Sequence, residues 1–109
     1  MTAVAGIFLV AHGLVHVAVW LSPPQPDAPF DACRSWLLGQ IRPLARALAA
    51  GACGLFILAG VLALVGAGSA AGTAVAAAGV SLVLTVLTFN PWLSAAVAIN
   101  VAIAVVAIA

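Results

Sequence analysis

Polar side chains able to take part in chemistry are few in this chain, and most of its length is apolar. His12 and His16 are four residues apart, so on a helix they share one face. A pair with this spacing can ligate a metal ion or bind a haem, although a stable metal site needs further ligands. The other candidates are groups that bind anions or form hydrogen bonds: Arg46, Ser81, Thr85 and Asn100.

The composition places these side chains inside a membrane. The 109 residues are 67% hydrophobic and 5% charged, with a mean hydropathy of +1.37, and so few charged groups cannot cover a water-facing surface. Because a polar side chain in hydrocarbon costs free energy unless it meets a partner, these residues mark where function is expected. The expected partner is the lipid bilayer, and a net charge of +1 argues against nucleic acid.

Uninterrupted apolar runs predict four spanning helices over residues 2–21, 43–65, 71–89 and 92–109, each close to the roughly 20 residues that cross the hydrocarbon. Turn-forming residues separate the runs: a proline-rich stretch, a glycine-rich stretch, and Asn90 with Pro91. The first run is interpreted as a retained helix rather than a signal peptide, because it lacks a basic start and contains two histidines. The predicted fold is all-α, a single up-down-up-down membrane bundle over residues 1–109.

The segment between the first two helices, residues 22–42, is predicted to lie at the membrane surface. Its four prolines between residues 22 and 29 require extended chain. Over residues 30–39 we expect a short interfacial helix, since Phe30, Cys33 and Leu37 share one face. Asp31 can cap this helix and Gly39 can end it.

The predicted topology puts all charged residues and all three tryptophans on one side of the bundle, which we call the loop side. Tryptophan prefers the membrane interface, so its three positions support the four-helix register. The positive-inside rule predicts that the loop side is cytoplasmic and that both termini are outside.

Depth can be counted from the loop side. The polar residues then fall at two shared levels: His16, Arg46 and Thr85 at roughly 6 Å, and His12, Ser81 and Asn100 at roughly 12 Å. Shared levels predict a polar pocket inside the bundle that opens to the loop side beneath residues 22–42. The structural alternatives are hydrogen bonds between helices, snorkelling by Arg46, and bonds from Ser and Thr to their own helix.

Several short motifs carry a resemblance. They are HGLVH at residues 12–16, DAPF at 27–30, WLLG at 36–39, Arg46, SLVLT at 81–85, FNPW at 89–92 and Asn100. With these motifs the chain resembles a group of uncharacterised small four-helix membrane proteins that are common in actinobacteria. The resemblance implies four helices, the bacterial inner membrane and no established reaction. In this group an acidic residue is expected soon after the proline of the FNPW motif, and here Trp92 follows that proline.

Three functional hypotheses follow. The leading one is a polar pocket, formed by the six residues of the two levels, that binds a small polar or amphiphilic ligand. The second is a structural or assembly subunit, whose small residues close the bundle or dock a homodimer or larger membrane partner: Ala50 and Gly54 on helix two, and Gly72, Ala76 and Gly79 on helix three. The third is a metal or haem protein that uses His12 and His16.

Enzymatic function is not favoured by the sequence. A small multidrug exporter of this size needs an embedded Glu, and the chain has none. Its two cysteines, Cys33 and Cys53, do not form a paired redox motif. No Ser/His or Asp/Asp pair is placed for hydrolysis by its position in the sequence.

Overall fold

The predicted spans are present as helices in the computed structural model, which describes residues 2–23, 27–28 and 30–108. The first, α1, is α-helical over Ala3–His16 and continues as a π-helical segment over Val17–Leu21. The others are α2 over Arg42–Leu64, α3 over Ala70–Leu87 and α4 over Ser94–Ile108, which follows a 3-10 turn over Pro91–Leu93. With these extensions all four are long and apolar enough to span a membrane. The all-α four-helix membrane bundle is confirmed.

Local hydrogen bonds explain where the helices begin and end. Thr2 Oγ1 accepts from the backbone N–H of Ala5 and so caps the start of α1. After α2, Gly66 takes a φ of +74°, and its N–H and that of Ala67 donate to the carbonyls of Ala63 and Leu62. This is a Schellman end, which glycine permits because it has no Cβ.

Consecutive helices pack against each other, so α1 contacts α2, α2 contacts α3 and α3 contacts α4. Short connections after α2 and α3 make α2 antiparallel to α3, and α3 antiparallel to α4. The last helix is the least enclosed, and among its described residues only Asn100 and Ile103 are buried. We call the line along which α4 faces α1 the α1–α4 seam.

Three glycines bring α1 and α2 close together. A Cβ at Gly60 would lie 2.6 Å from the carbonyl oxygen of Gly6, and one at Gly13 would lie 2.9 Å from Cβ of Phe56. The small residues singled out from the sequence do not close the bundle. Gly54, Gly72 and Gly79 are exposed and have open space around the Cα, as expected for faces turned toward lipid.

The predicted interfacial helix over residues 30–39 is wrong, because this segment forms a β-hairpin. Strand β1 (Arg34–Ser35) pairs antiparallel with β2 (Gly39–Gln40). Ser35 Oγ accepts from the backbone N–H groups of Leu37 and Leu38, both at 3.1 Å, and such side-chain bonds compete with a helix. Gly39 completes the turn with a φ of +76°.

Hydrogen bonds attach the hairpin region to the loop side of the bundle. Trp20 Nε1 donates to the carbonyl of Ala32 at 3.0 Å, and Trp36 Nε1 donates to that of Val86 at 2.7 Å. Asp31 does not cap a helix; its carboxylate accepts from the N–H of Cys33 and from Gln40. Within the proline-rich stretch, residues 24–26 and 29 lie outside the described residues, so the extended chain predicted there is not described.

Candidate functional site

Four of the polar residues singled out from the sequence meet in the centre of the bundle. We call His12, His16, Ser81 and Asn100 the polar network, and all four are buried. His12 Nε2 lies 3.1 Å from Asn100 Oδ1, Asn100 Nδ2 lies 2.8 Å from Ser81 Oγ, and Ser81 Oγ lies 2.7 Å from His16 Nε2. The network thus joins α1, α3 and α4 through side chains.

The hydrogens of the polar network can be assigned from its acceptors. His16 Nδ1 lies 3.1 Å from the carbonyl oxygen of His12, which can only accept, so Nδ1 carries a hydrogen. In neutral His16, Nε2 then accepts from the Ser81 hydroxyl, while Ser81 Oγ accepts from Asn100 Nδ2 and Asn100 Oδ1 accepts from His12 Nε2. Among the described residues no buried side-chain nitrogen or oxygen lacks a partner.

Aromatic rings hold the two histidines in place. Phe56 of α2 is fully buried and lies edge-on to His12, with ring centroids 4.8 Å apart. Trp20 stacks on His16 at 5.4 Å, and Phe8 stacks on His12 at 5.9 Å. Phe56 also lies 5.5 Å from the His16 ring, so two aromatic side chains contact each imidazole and limit its rotation, which keeps its nitrogens on their partners.

The hydrogen bonds and ring orientations of His12 and His16 bear on whether these residues can ligate a metal or haem. In the described part of the chain, three of the four ring nitrogens of His12 and His16 are engaged in hydrogen bonds, which leaves Nδ1 of His12. The rings lie nearly perpendicular, at 87°. No cluster of three or more His, Cys, Asp or Glu residues occurs among the described residues. Chelation by both histidines would therefore require the network to break.

Sequence reasoning missed the Ser81–His16 pair, because 65 residues separate the two. A hydroxyl on an imidazole whose other nitrogen is oriented by a third group has the form of a nucleophile and its base. However, Ser81 is fully buried and lines neither of the two cavities described below. A substrate has no room to reach it in this arrangement, so the geometry favours a structural hydrogen bond.

Arg46 and Thr85 do not join the polar network. Thr85 Oγ1 donates to the carbonyl of Leu82 in its own helix at 3.1 Å. Arg46 donates from Nε to the carbonyl of Trp20 and from Nη2 to that of Leu21, both at 3.2 Å. The guanidinium thereby satisfies carbonyls at the end of the first span, where the helix dipole also favours a positive charge.

Arg46 also lines a cavity of about 610 Å³ on the loop side, which we call the loop-side cavity. Its walls come from the end of the first span, described residues of the segment between this span and the hairpin, the start of α2 and the 3-10 turn before α4. The described residues with large or charged side chains in these walls are Trp20, Phe30, Asp31, Arg42, Arg46, Trp92 and Leu93.

Protein-family models, curated proteins and solved structures were compared with this chain. None of the three comparisons found a match.

A second cavity of about 260 Å³ lies on the α1–α4 seam. It is a wholly apolar groove, lined by Ala5, Phe8, Leu9, Ile99, Ala102, Ile103 and Val106. The first span runs from this groove, past His12 and its bond to Asn100, to the loop-side cavity. Of the two cavities, only the loop-side cavity combines apolar walls with charged groups, as a site for an amphiphile requires.

Proposed function

We propose that this integral membrane protein binds a small amphiphilic ligand in the loop-side cavity. The observation that carries the proposal is a single cavity that presents two arginines, Arg42 and Arg46, beside the aromatic walls of Trp20 and Phe30. Ligand sites typically pair apolar walls with a few polar groups that fix orientation. The cavity volume of about 610 Å³ lies within the range of roughly 300–1,000 Å³ typical of small-molecule sites.

The polar network has a supporting part in this proposal. Its side-chain hydrogen bonds join its own members, and none of its four residues lines the loop-side cavity, so the network fixes the positions of α1, α3 and α4 instead of contacting a ligand. Trp20 connects the two regions, because it lines the cavity and stacks on His16. We propose that the network holds the cavity wall in shape.

A blocking variant tests the proposal. Ala18 lines the cavity and is exposed, so Ala18→Trp should fill the opening. Ala11 is exposed on the same helix about two turns earlier and does not line the cavity, so Ala11→Trp is the matched control. Native mass spectra of the gently solubilised proteins should show an amphiphile adduct that Ala18→Trp loses and Ala11→Trp retains. Equal adducts in both variants, or a bare wild-type chain, would contradict the proposal.

A second candidate function is that of a subunit in a larger membrane assembly or a homodimer. It is favoured by the exposed small residues of α3, since Gly72, Ala76 and Gly79 face outward without a partner among the described residues. Small residues allow close helix approach in membranes. Co-purification of a stoichiometric membrane partner that Gly79→Leu abolishes would support this function, and a partner-free monomer would count against it.

A metal or haem role for His12 and His16 is the third candidate, and it requires a rearranged network. Elemental analysis and a Soret band measured on the same sample test it. We also propose that the protein lies in a bacterial inner membrane with the loop side cytoplasmic. This is supported by the resemblance to small actinobacterial membrane proteins and by the arginines on that side. Reporter fusions to the C-terminus give the orientation.

A further inference from the structure

Two of the residues that line the loop-side cavity are exposed side chains of the bundle. Ala18 and Trp92 both line it, and both are exposed on the outer surface of the bundle, Trp92 at 68%. Ala18 lies three residues before Leu21, the last residue of the first span, and is therefore roughly 5 Å inside the end of that helix. The opening thus lies at the depth where lipid headgroups meet the acyl chains, and an occupant can enter from the leaflet.

The charges at this opening favour an anion. Arg42 and Arg46 line the cavity together with one acidic residue, Asp31. The carboxylate of Asp31 is already engaged by the N–H of Cys33 and by Gln40, which weakens its repulsion of an anion. The guanidinium of Arg46 has more N–H donors than its two bonds to Trp20 and Leu21 use. Guanidinium groups bind phosphate through paired hydrogen bonds.

The walls below the arginines are suited to hydrocarbon. Trp20 is only 3% exposed, and it lines the cavity together with Phe30 and Leu93. A free inorganic anion would leave these apolar side chains without contacts. A lipid would cover them with the upper part of its acyl chains while its phosphate remains at the level of the arginines.

We infer that the ligand of the loop-side cavity is an anionic membrane lipid from the adjoining leaflet. Its phosphate lies between Arg42 and Arg46, and the start of its acyl chains packs on Trp20. This inference rests on the proposed function and names the class of its ligand.

Fluorescence quenching at Trp20 tests the inference. A variant carrying Trp36→Phe and Trp92→Phe keeps Trp20 as the only tryptophan, and this ring is shielded from bulk lipid. The variant is placed in phosphatidylcholine vesicles that contain a titrated fraction of phosphatidylglycerol with brominated acyl chains. Brominated phosphatidylcholine is titrated in parallel. We expect saturable quenching by phosphatidylglycerol at a mole fraction about fivefold lower, or less, than phosphatidylcholine requires, since each basic residue near a membrane contributes about this factor.

Two charge variants provide the control. Arg42→Gln should raise the fraction of brominated phosphatidylglycerol needed by about fivefold. Arg34→Gln removes the same charge from an exposed position in strand β1, outside the cavity, and should have a much smaller effect. Equal effects of the two variants would show general surface attraction and overturn the inference. Circular dichroism on both variants checks that the helices are intact.

The remaining outcomes separate the inference from the proposed function. Equal quenching by both lipids would overturn the anionic inference and leave amphiphile binding in place. Protection of the protein against SDS-induced unfolding by inorganic phosphate, without preferential quenching by phosphatidylglycerol, would assign the arginines to a soluble anion and overturn the lipid source. Quenching by neither lipid would count against the proposed function itself.

Discussion

His12 Nε2 lies 3.1 Å from Asn100 Oδ1, and this hydrogen bond crosses the α1–α4 seam between two helices that are far apart in the sequence. Because α4 buries only Asn100 and Ile103 among its described residues, this bond is a main attachment of α4 to α1. The polar network therefore serves to position the last helix more than to form an open polar site.

A double-mutant cycle measures this attachment. His12→Phe should lower the free energy of unfolding by about 1 kcal/mol, the scale of hydrogen bonds between membrane helices. Asn100→Leu should cost more, since Asn100 also donates to Ser81. The double variant should be less destabilised than the sum of the two, because each single change already breaks the shared bond. Titration with SDS followed by circular dichroism gives these values, and strict additivity would show that the bond does not contribute.

Ser81 should matter more than the other hydroxyls of α3. Ser81→Ala removes the partner of both His16 Nε2 and Asn100 Nδ2, so we expect a loss of about 1–3 kcal/mol in unfolding free energy. Thr85→Val is the matched control. It removes a bond to the backbone of the same helix and should stay within about 0.5 kcal/mol of wild type. Similar losses in both variants would contradict the central place of Ser81.

The Ser81–His16 pair should not behave as a catalytic pair. The hydroxyl is fully buried and lines neither cavity, so a fluorophosphonate probe should not label Ser81 in the folded protein. Mass spectrometry of the probe-treated protein checks this. A Ser81 adduct that is lost in His16→Ala would show that the bundle opens and that a hydrolytic function must be considered.

Much of the fold was predictable from the sequence because long apolar runs have few alternatives in a membrane. The spans agree with the observed helices to within two residues at each end. The β-hairpin was missed because a short amphipathic pattern favours a helix only when nothing competes with it. Ser35 Oγ and the positive φ of Gly39 compete successfully here.

The site was harder to predict because the depth of a residue in the membrane does not determine which way its side chain faces. Counting along the helices put His16 and Arg46 at one level, yet His16 faces Ser81 while Arg46 faces the end of the first span. Side chains on a helix lean toward its N-terminus, so the long His16 side chain reaches the level of Ser81. Which face each residue presents depends on helix packing, which one sequence does not give.

The close approach of α1 and α2 predicts that glycine-to-alanine substitutions at two positions on α2 have different effects on stability. Gly60→Ala would place a methyl group 2.6 Å from the carbonyl oxygen of Gly6 and against Val10. Separating the helices should cost about 1–3 kcal/mol. Gly54→Ala, on the same helix but in open space, should be neutral or stabilising by up to about 1 kcal/mol. Equal effects on SDS-induced unfolding would show that the helices are not held this closely.

Substitutions of the two arginines of the loop-side cavity should have different effects on the free energy of unfolding. Arg46 satisfies the carbonyls of Trp20 and Leu21, so Arg46→Gln should lower the unfolding free energy by about 1–3 kcal/mol. Arg42 is exposed at the start of α2, and Arg42→Gln should change stability by less than about 0.5 kcal/mol. Both changes remove a positive charge from the cavity, so both should weaken retention of anionic lipid in native mass spectra. A destabilised Arg46→Gln that retains the lipid would assign Arg46 to the helix end alone, because its loss would then affect the carbonyls and not the cavity.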